Sequence, residues 1–176
     1  MAEYVSERLL EQARTGDEDA FTALIAQFDA HMRRFIQHLI GVHPNEDDIV
    51  QNTTFALYRN LARLDTDTLR PFIFRVIRNQ CYDQLRKQGR YESVALDSVS
   101  LQDDLKLPEQ EAADRITYQF IQIAIHQLPE AQRQTMILYA EEGMTYQEIA
   151  DATGVSVGTV KSRLHHAKKT LRRLLK

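Results

Sequence analysis

Cysteine is almost absent from this chain. Cys81 is the only one in 176 residues, so no intramolecular disulfide and no multi-cysteine zinc site can form, which excludes the small stapled secreted scaffolds. No apolar run approaches the ~20 residues that a bilayer span requires, and the stretch Met1 to Arg14 mixes acids with bases where a secretory signal is basic and then apolar. These absences predict a soluble, cytoplasmic protein without membrane insertion. Glycine-rich phosphate loops, internal repeats and low-complexity tracts are also missing. His31, His38, His43 and His126 lack cysteines or carboxylates at ligand spacing, and the adjacent His165 and His166 diverge on a helix instead of forming the i, i+4 pair of a helical zinc site. Cys81 falls in an apolar phase without a positioned base, which reads as core rather than nucleophile. The expectation is a chain with no metal, no cofactor, no small-molecule substrate and no catalysis of its own.

What the sequence does have is charge, unevenly distributed. The whole chain carries 22 basic and 25 acidic residues, a net charge of −3. Residues 91 to 127, however, hold 2 bases against 7 acids, and Val157 to Lys176 holds seven bases with no acid. A second basic stretch, Arg59 to Arg90, has eight bases against Asp65, Asp67 and Asp83. A polyanion responds to the local field, so two basic surfaces flanking an acidic connection are compatible with a nucleic-acid partner despite the total.

Apolar periodicity is helical throughout and no strand alternation is sustained, so the fold class is all-α. Ser6 is a candidate N-cap for a first helix holding Leu9, Leu10 and Ala13. Gly16 and Asp17 separate it from a second that runs through Phe21, Leu24, Ile25, Phe28, Met32, Phe35, Ile36 and Leu39 to Gly41. A third starts near Asn45, where Glu46, Asp47 and Asp48 suit the helix dipole, and is expected to bury Ile49, Thr53, Ala56, Leu57, Leu61 and Leu64. After the polar break Asp65 to Thr68, a fourth helix is predicted from about Pro71 to Lys87. Periodicity fails from Gly89 to about Glu111, and a polar acidic stretch of that length reads as an interdomain linker joining two small helical domains free to move relative to one another. The boundaries read as 1–90, a linker at 91–113, and 114–176. The second domain opens with a helix expected to use Ile116, Phe120, Ile123 and Ala124, then one framed by Pro129 and Gly143.

The most informative stretch is Thr145 to Leu164. Thr145 and Glu148 make a Thr-x-x-Glu capping box, Gly154 suits a left-handed helix end, and Ser156 caps the next helix. Ala150 is small where two helices cross, and Ile149, Val155, Val160 and Leu164 supply a small core. This order is that of a helix-turn-helix, whose second helix enters a major groove and reads base edges near its N-terminus. The candidate DNA-reading residues on it are Ser156, Thr159, Lys161, Ser162, Arg163, His165, His166 and Lys169.

At this point the chain resembles the bacterial sigma factors of the extracytoplasmic-function group. The carboxy-terminal motifs are Leu128-Pro129, Thr145-Tyr-Gln-Glu-Ile-Ala150 and Gly158-Thr-Val-Lys-Ser-Arg-Leu-His-His-Ala167, which look like region 4 of that family. The amino-terminal ones are Glu46-Asp-Asp-Ile-Val-Gln51 with Phe55, Pro71-Phe-Ile-Phe-Arg-Val-Ile-Arg-Asn79 and Asp83-Gln-Leu-Arg86, which look like region 2. Asn52 stands where the family commonly has Glu, and Phe72 where it commonly has Trp.

The resemblance implies a promoter-specificity subunit whose partners are core RNA polymerase, promoter DNA and a cognate anti-sigma factor. It implies polymerase docking through the third helix, where Asp48, Gln51, Asn52 and Phe55 lie outside the apolar stripe. It further implies reading and melting of a minus-ten element by the loop from Asp65 to Arg70 and by Asn79, within a surface that includes Arg63, Arg75, Arg78 and Arg86. Asp83 is expected to pair with a nearby arginine. The acidic linker would thread the polymerase's basic channels. The competing class is a stand-alone helix-turn-helix regulator with an N-terminal dimerisation or sensing domain, and the interleaving of arginines with Phe55, Tyr58, Phe72 and Phe74 weighs against it.

Overall fold

In the computed structural model, which describes residues 6–87 and 120–175, every regular element is a helix. Helix α1 spans Glu7–Arg14, α2 Glu18–Ile40 and α3 Glu46–Asn60; a single 3-10 turn, Leu61–Arg63, leads to α4 at Thr66–Lys87. Beyond residue 119, the described part of α5 covers 120–126, followed by α6 at Glu130–Ala140, α7 at Tyr146–Thr153 and α8 at Val157–Leu174.

Local chemistry fixes most of these ends. The Asp17 carboxylate accepts from the Ala20 amide at 3.0 Å and starts α2, whereas Ser6 and Asn45 occupy their cap positions without a side-chain bond. Helix α4 starts five residues earlier than its apolar pattern predicts. Asp65 accepts the Thr68 amide at 2.8 Å while the Thr68 hydroxyl accepts the Asp65 amide at 2.9 Å, a reciprocal cap that launches the helix upstream of Pro71. A proline this close to a helix start removes few ladder bonds, so the helix runs through it.

The first domain packs α1 to α4 around Leu24, Phe28, Phe35, Ile49, Leu57, Leu69, Ile73, Phe74 and Ile77, with Phe35 and Phe74 edge to face at 5.1 Å. Ala56, expected inside, is only half-buried, and Val50 takes its place in the core. Arg33 joins α2 to the start of α3 through Asp29 (3.0 Å), Asp47 (2.7 Å) and Glu46 (3.3 Å), and these carboxylates hold its guanidinium above its ordinary pKa. The Glu46 and Asp47 acids placed at α3 for its dipole thus also serve as its tie to α2.

In α5 the apolar phase differs from the expectation. Ala124 is buried as expected, but it is joined by Ile125 and Leu128, while Phe120 is 63% exposed and Ile123 lies on the surface; Ile116 lies outside the described residues. Short amphipathic runs tolerate more than one phase, and here packing against α6 selects between them.

The two halves pack against one another in this structure. A single apolar cluster runs from Leu10 to Ala167, and α4 packs along α7 while α2 meets α6. The linker reading from 91 to 113 lies outside the described residues.

Candidate nucleic-acid interface

The second domain builds its helix-turn-helix as its sequence motifs predict. The Thr145 hydroxyl accepts the Glu148 amide at 3.2 Å and the Glu148 carboxylate accepts the Thr145 amide at 2.7 Å, closing the capping box that begins α7. Gly154 ends α7 with φ of 70°. A Cβ there would meet nothing within 4 Å, so it is the left-handed backbone, not crowding, that calls for glycine. Two residues on, Ser156 accepts the Thr159 amide at 3.2 Å and starts α8. Ile149, Ala150, Val160, Leu164 and Ala167 are buried between α7, α8 and α6.

This packing leaves one face of α8 outward. Ser156, Lys161, Ser162, His165, His166 and Lys169 are exposed, and Thr159 and Arg163 are half-buried. The Ser156 and Thr159 hydroxyls lie 3.0 Å apart and belong to the cap. His165 and His166 are nearly perpendicular, with ring centroids 5.6 Å apart. Arg172 and Arg173 extend the basic face beyond the predicted set. Lys168 instead folds over the Tyr139 ring at 4.6 Å. An exposed, capped, basic second helix presents cations to phosphates and donors to base edges.

The first domain's basic surface is arranged differently. Arg63, Arg75, Asn79 and Arg86 are exposed, with Arg75 over Phe72 at 5.6 Å and Arg86 paired with Asp83. Arg70 and Arg78, by contrast, are half-buried against the second domain. Arg70 donates to the Glu142 carbonyl and lies 3.9 Å from the Glu148 carboxylate, and Arg78 donates to Gln134 at 3.2 Å while covering the Tyr82 ring at 4.9 Å. Asp65 spends its carboxylate on capping α4, and the bonds from Thr68 hold it below its ordinary pKa. Among the interleaved aromatics, Phe74 belongs to the core, Phe72 is half-buried, and Phe55 and Tyr58 are 54% and 63% exposed.

On α3, Asp48, Gln51, Asn52 and Phe55 are all exposed and follow one another at i, i+3, i+4 and i+7, a single stripe opposite Ile49, Thr53 and Leu57. Cys81 is fully buried, and burial pushes its thiol up to about 12, away from thiolate chemistry at neutral pH. Among the described residues no group of three or more His, Cys, Asp or Glu is arranged to hold a metal ion, and no helix is long and apolar enough to cross a membrane.

A cleft of about 570 Å³ runs between the halves, walled on one side by Arg63, Thr68, Phe72 and Arg75 and on the other by Asp151, Gly154 and Ser156. The helix-turn-helix turn therefore lies across from the first domain's basic surface. The pairs that fasten this seam were missed by the sequence reasoning. They are His31 with Glu142 at 2.8 Å and His38 with Glu141 at 3.0 Å, residues more than a hundred positions apart. The one available signal was the adjacent acid pair ending an apolar helix.

Sigma-70 region 2 matches residues 24–91 and Sigma-70 region 4 matches residues 121–171. The chain is 31% identical to the RNA polymerase sigma factor NccH of Alcaligenes xylosoxydans xylosoxydans, over 97% of this chain and 95% of that one. It is 30% identical to the ECF RNA polymerase sigma factor SigE of Mycolicibacterium smegmatis, over 90% of this chain, and spans 63% of that longer protein. The chain belongs to the ECF RNA polymerase sigma factors. A solved structure of the sigma factor RpoE in complex with the anti-sigma factor NepR, from Bartonella quintana, resembles this sigma factor with a TM-score of 0.65 and 25% identity, covering 88% of this chain and 96% of that one. Both halves of the sigma factor thus have their counterpart in the family: most of α2 with all of α3 and α4 falls within the region 2 match, and α6, α7 and most of α8 within the region 4 match.

Proposed function

We propose that this sigma factor binds core RNA polymerase through the α3 stripe Asp48, Gln51, Asn52 and Phe55 and directs it to promoters with two readers. Helix α8 reads the minus-thirty-five element with Ser156, Thr159, Lys161, Ser162, Arg163, His165, His166 and Lys169. The α4 region, with Arg63, Asp65, Arg70, Arg75, Arg78, Asn79 and Arg86, reads and holds the minus-ten element. Opening a duplex costs a few kcal/mol per unstacked base, and pocket contacts and phosphate pairing by a basic and aromatic surface offset that cost. The observation that carries the reading is the outward basic face of α8 behind its Ser156 cap, on a chain that also has the region 2 match. That second match weighs against a stand-alone regulator, which has no use for a polymerase-docking stripe.

The division into 1–90, an acidic connection at 91–113 and 114–176 follows from this reading. Acids such as Asp97, Asp103 and Asp104 in the connection suit the polymerase's basic channels by charge. The chain works in the cytoplasm with the polymerase, carries out no catalysis itself, and is held in check by an anti-sigma factor of its own, as the Bartonella sigma factor is bound by NepR. Run-off transcription with purified core polymerase on a pool of promoter fragments tests the whole. Promoter-dependent transcripts are expected from the intact protein. An Asp48→Arg plus Gln51→Ala variant should keep its helix content and lose co-elution with core polymerase by about tenfold or more, roughly 1.4 kcal/mol. Undiminished co-elution excludes the α3 stripe as the docking face.

A further inference from the structure

Helix α1 lies outside the region 2 match, which starts at residue 24, and its apolar side, Leu10 and Ala13, is buried against α2. Its own C-terminal carbonyls are closed locally. The Thr15 hydroxyl and the Asp17 amide donate to the Gln12 carbonyl at 2.8 and 3.2 Å, and the Thr15 and Gly16 amides donate to the Glu11 and Ala13 carbonyls. Arg14, the last residue of α1, is therefore not needed to finish the helix. Its guanidinium reaches across to the far end of α3 instead. Nε donates to the Leu61 carbonyl at 3.3 Å and Nη2 donates to the Leu64 carbonyl, 47 and 50 positions along the chain, while Nη1 donates to the Glu11 carboxylate at 3.0 Å. All three guanidinium nitrogens are thus engaged. A planar fork can meet two carbonyls at once, whereas a lysine ammonium acts as a point.

The two carbonyls belong to the short strip of chain that joins α3 to α4. Its 3-10 turn is closed by the Leu64 amide on the Leu61 carbonyl at 3.3 Å, and Leu64 itself is extended, with φ of −101° and ψ of 138°. A helix end of this kind leaves carbonyls without an intrahelical partner. The Leu61 and Leu64 side chains are buried, so the strip is anchored inward by its leucines and outward by Arg14. Arg63 stands exposed between the two held residues, and the Asp65–Thr68 cap of α4 follows directly. We propose that Arg14 is a positioning residue for promoter reading: by holding the Leu61 and Leu64 carbonyls it fixes how Arg63 and the loop from Asp65 to Arg70 are presented to the minus-ten element. The inference rests on the reading of α4 given above. Arg14 itself need not touch DNA. A loop freed at its root keeps the same cations, so its attraction to phosphates survives, whereas base contacts require donors held to within roughly 0.5 Å. Loss of Arg14 therefore costs selectivity and spares general affinity.

The test uses holoenzyme reconstituted with the full-length chain and two fluorescent single-stranded oligomers. One is the non-template strand across the minus-ten element of the strongest promoter recovered from the run-off pool, and the other has the same bases scrambled. The ratio of the two affinities is the readout, because a merely destabilised chain lowers the active fraction and leaves that ratio unmoved. Arg14→Met keeps the aliphatic stem and removes the donors. It is expected to lower the ratio about tenfold, the loss of about one base contact, with the scrambled oligomer bound as before. Arg14→Lys retains a donor for one carbonyl and should lower the ratio only about threefold. An unchanged ratio in Arg14→Met overturns the proposal; if that variant loses helix content, Arg14→Lys carries the same comparison. Arg63→Ala and Arg75→Ala separate the two ways of failing. A lowered ratio in these with an unchanged one in Arg14→Met removes the role of Arg14 and leaves the α4 reading standing. An unchanged ratio in both removes the α4 reading, and the proposal with it.

Discussion

Helices α4 and α8 each carry several cations, and these meet opposite fates. On α8 the polar side chains emerge from a helix whose buried side is satisfied within its own domain, so the cations of Lys161 and Lys169 face outward together with the His165 and His166 rings. On α4 the exposed cations alternate with Arg70 and Arg78, whose guanidinium groups are taken up by the other half of the molecule. In this structure a basic residue is therefore open to a nucleic acid only if nothing else in the chain engages it. Periodicity can say which side of a helix is polar, but not which polar groups find partners across a seam.

The largest expected effect breaks the comparison by removing the core that holds α4 in place. Phe74→Ala should cost about 3 to 5 kcal/mol, because it empties a fully buried site against Phe35. Since one apolar cluster runs through both halves, denaturant unfolding followed by probes in each half should show a single shared transition in the wild type. Two separated transitions would show that the halves are energetically independent and that the seam is marginal.

A smaller effect sharpens the comparison directly. Arg163→Ala and Lys161→Ala should each weaken upstream-element binding by about 1 to 3 kcal/mol where the contact is to a base, and a phosphate contact should instead reduce the salt slope. Arg78→Ala should leave DNA binding by the free chain unchanged, since Gln134 already holds that guanidinium, yet weaken minus-ten contacts in the holoenzyme. Footprinting of both forms checks it. Equal loss for Arg78→Ala in free chain and holoenzyme would mean that α4 is as available as α8.

The smallest effect concerns pH. Burial, with the nearby His38 and Arg133 adding to it, lowers the His126 ring to about 4. An unfolded chain takes up the proton near the ordinary imidazole value of about 6.5, before the folded one does. Stability is therefore fully present above about 6.5 and falls as pH drops towards 4, by about 1 to 2 kcal/mol once the ring's partial exposure is allowed for. Urea midpoints between pH 7 and pH 4 should show this decline, and His126→Gln should flatten it. An unchanged slope in that variant assigns the decline to other groups.

Local signals carried much of the architecture. The capping box at Thr145 and Glu148, the left-handed Gly154 and the Ser156 cap involve groups within a few residues of one another, and each forms as read. The pairing of Asp83 with Arg86 is likewise a one-turn contact. Errors arose where a local pattern admitted two solutions. The start of α4 was moved upstream by the Asp65–Thr68 cap, which outweighed the proline as a boundary. The phase of α5 was set by its neighbour, which left Phe120 outside.

By itself, then, the sequence determined the all-helical class, the helix-turn-helix and the outward stripes on α3 and α8, because hydrophobic period and capping act over one or two turns. The tertiary structure alone decided which charges are spent. His31 with Glu142 and His38 with Glu141 join residues over a hundred positions apart, and Arg70 reaches a backbone carbonyl. No spacing in the chain encodes such contacts: a charged side chain's partner is fixed only when packing brings two distant surfaces together and makes leaving either group buried and unpaired too costly.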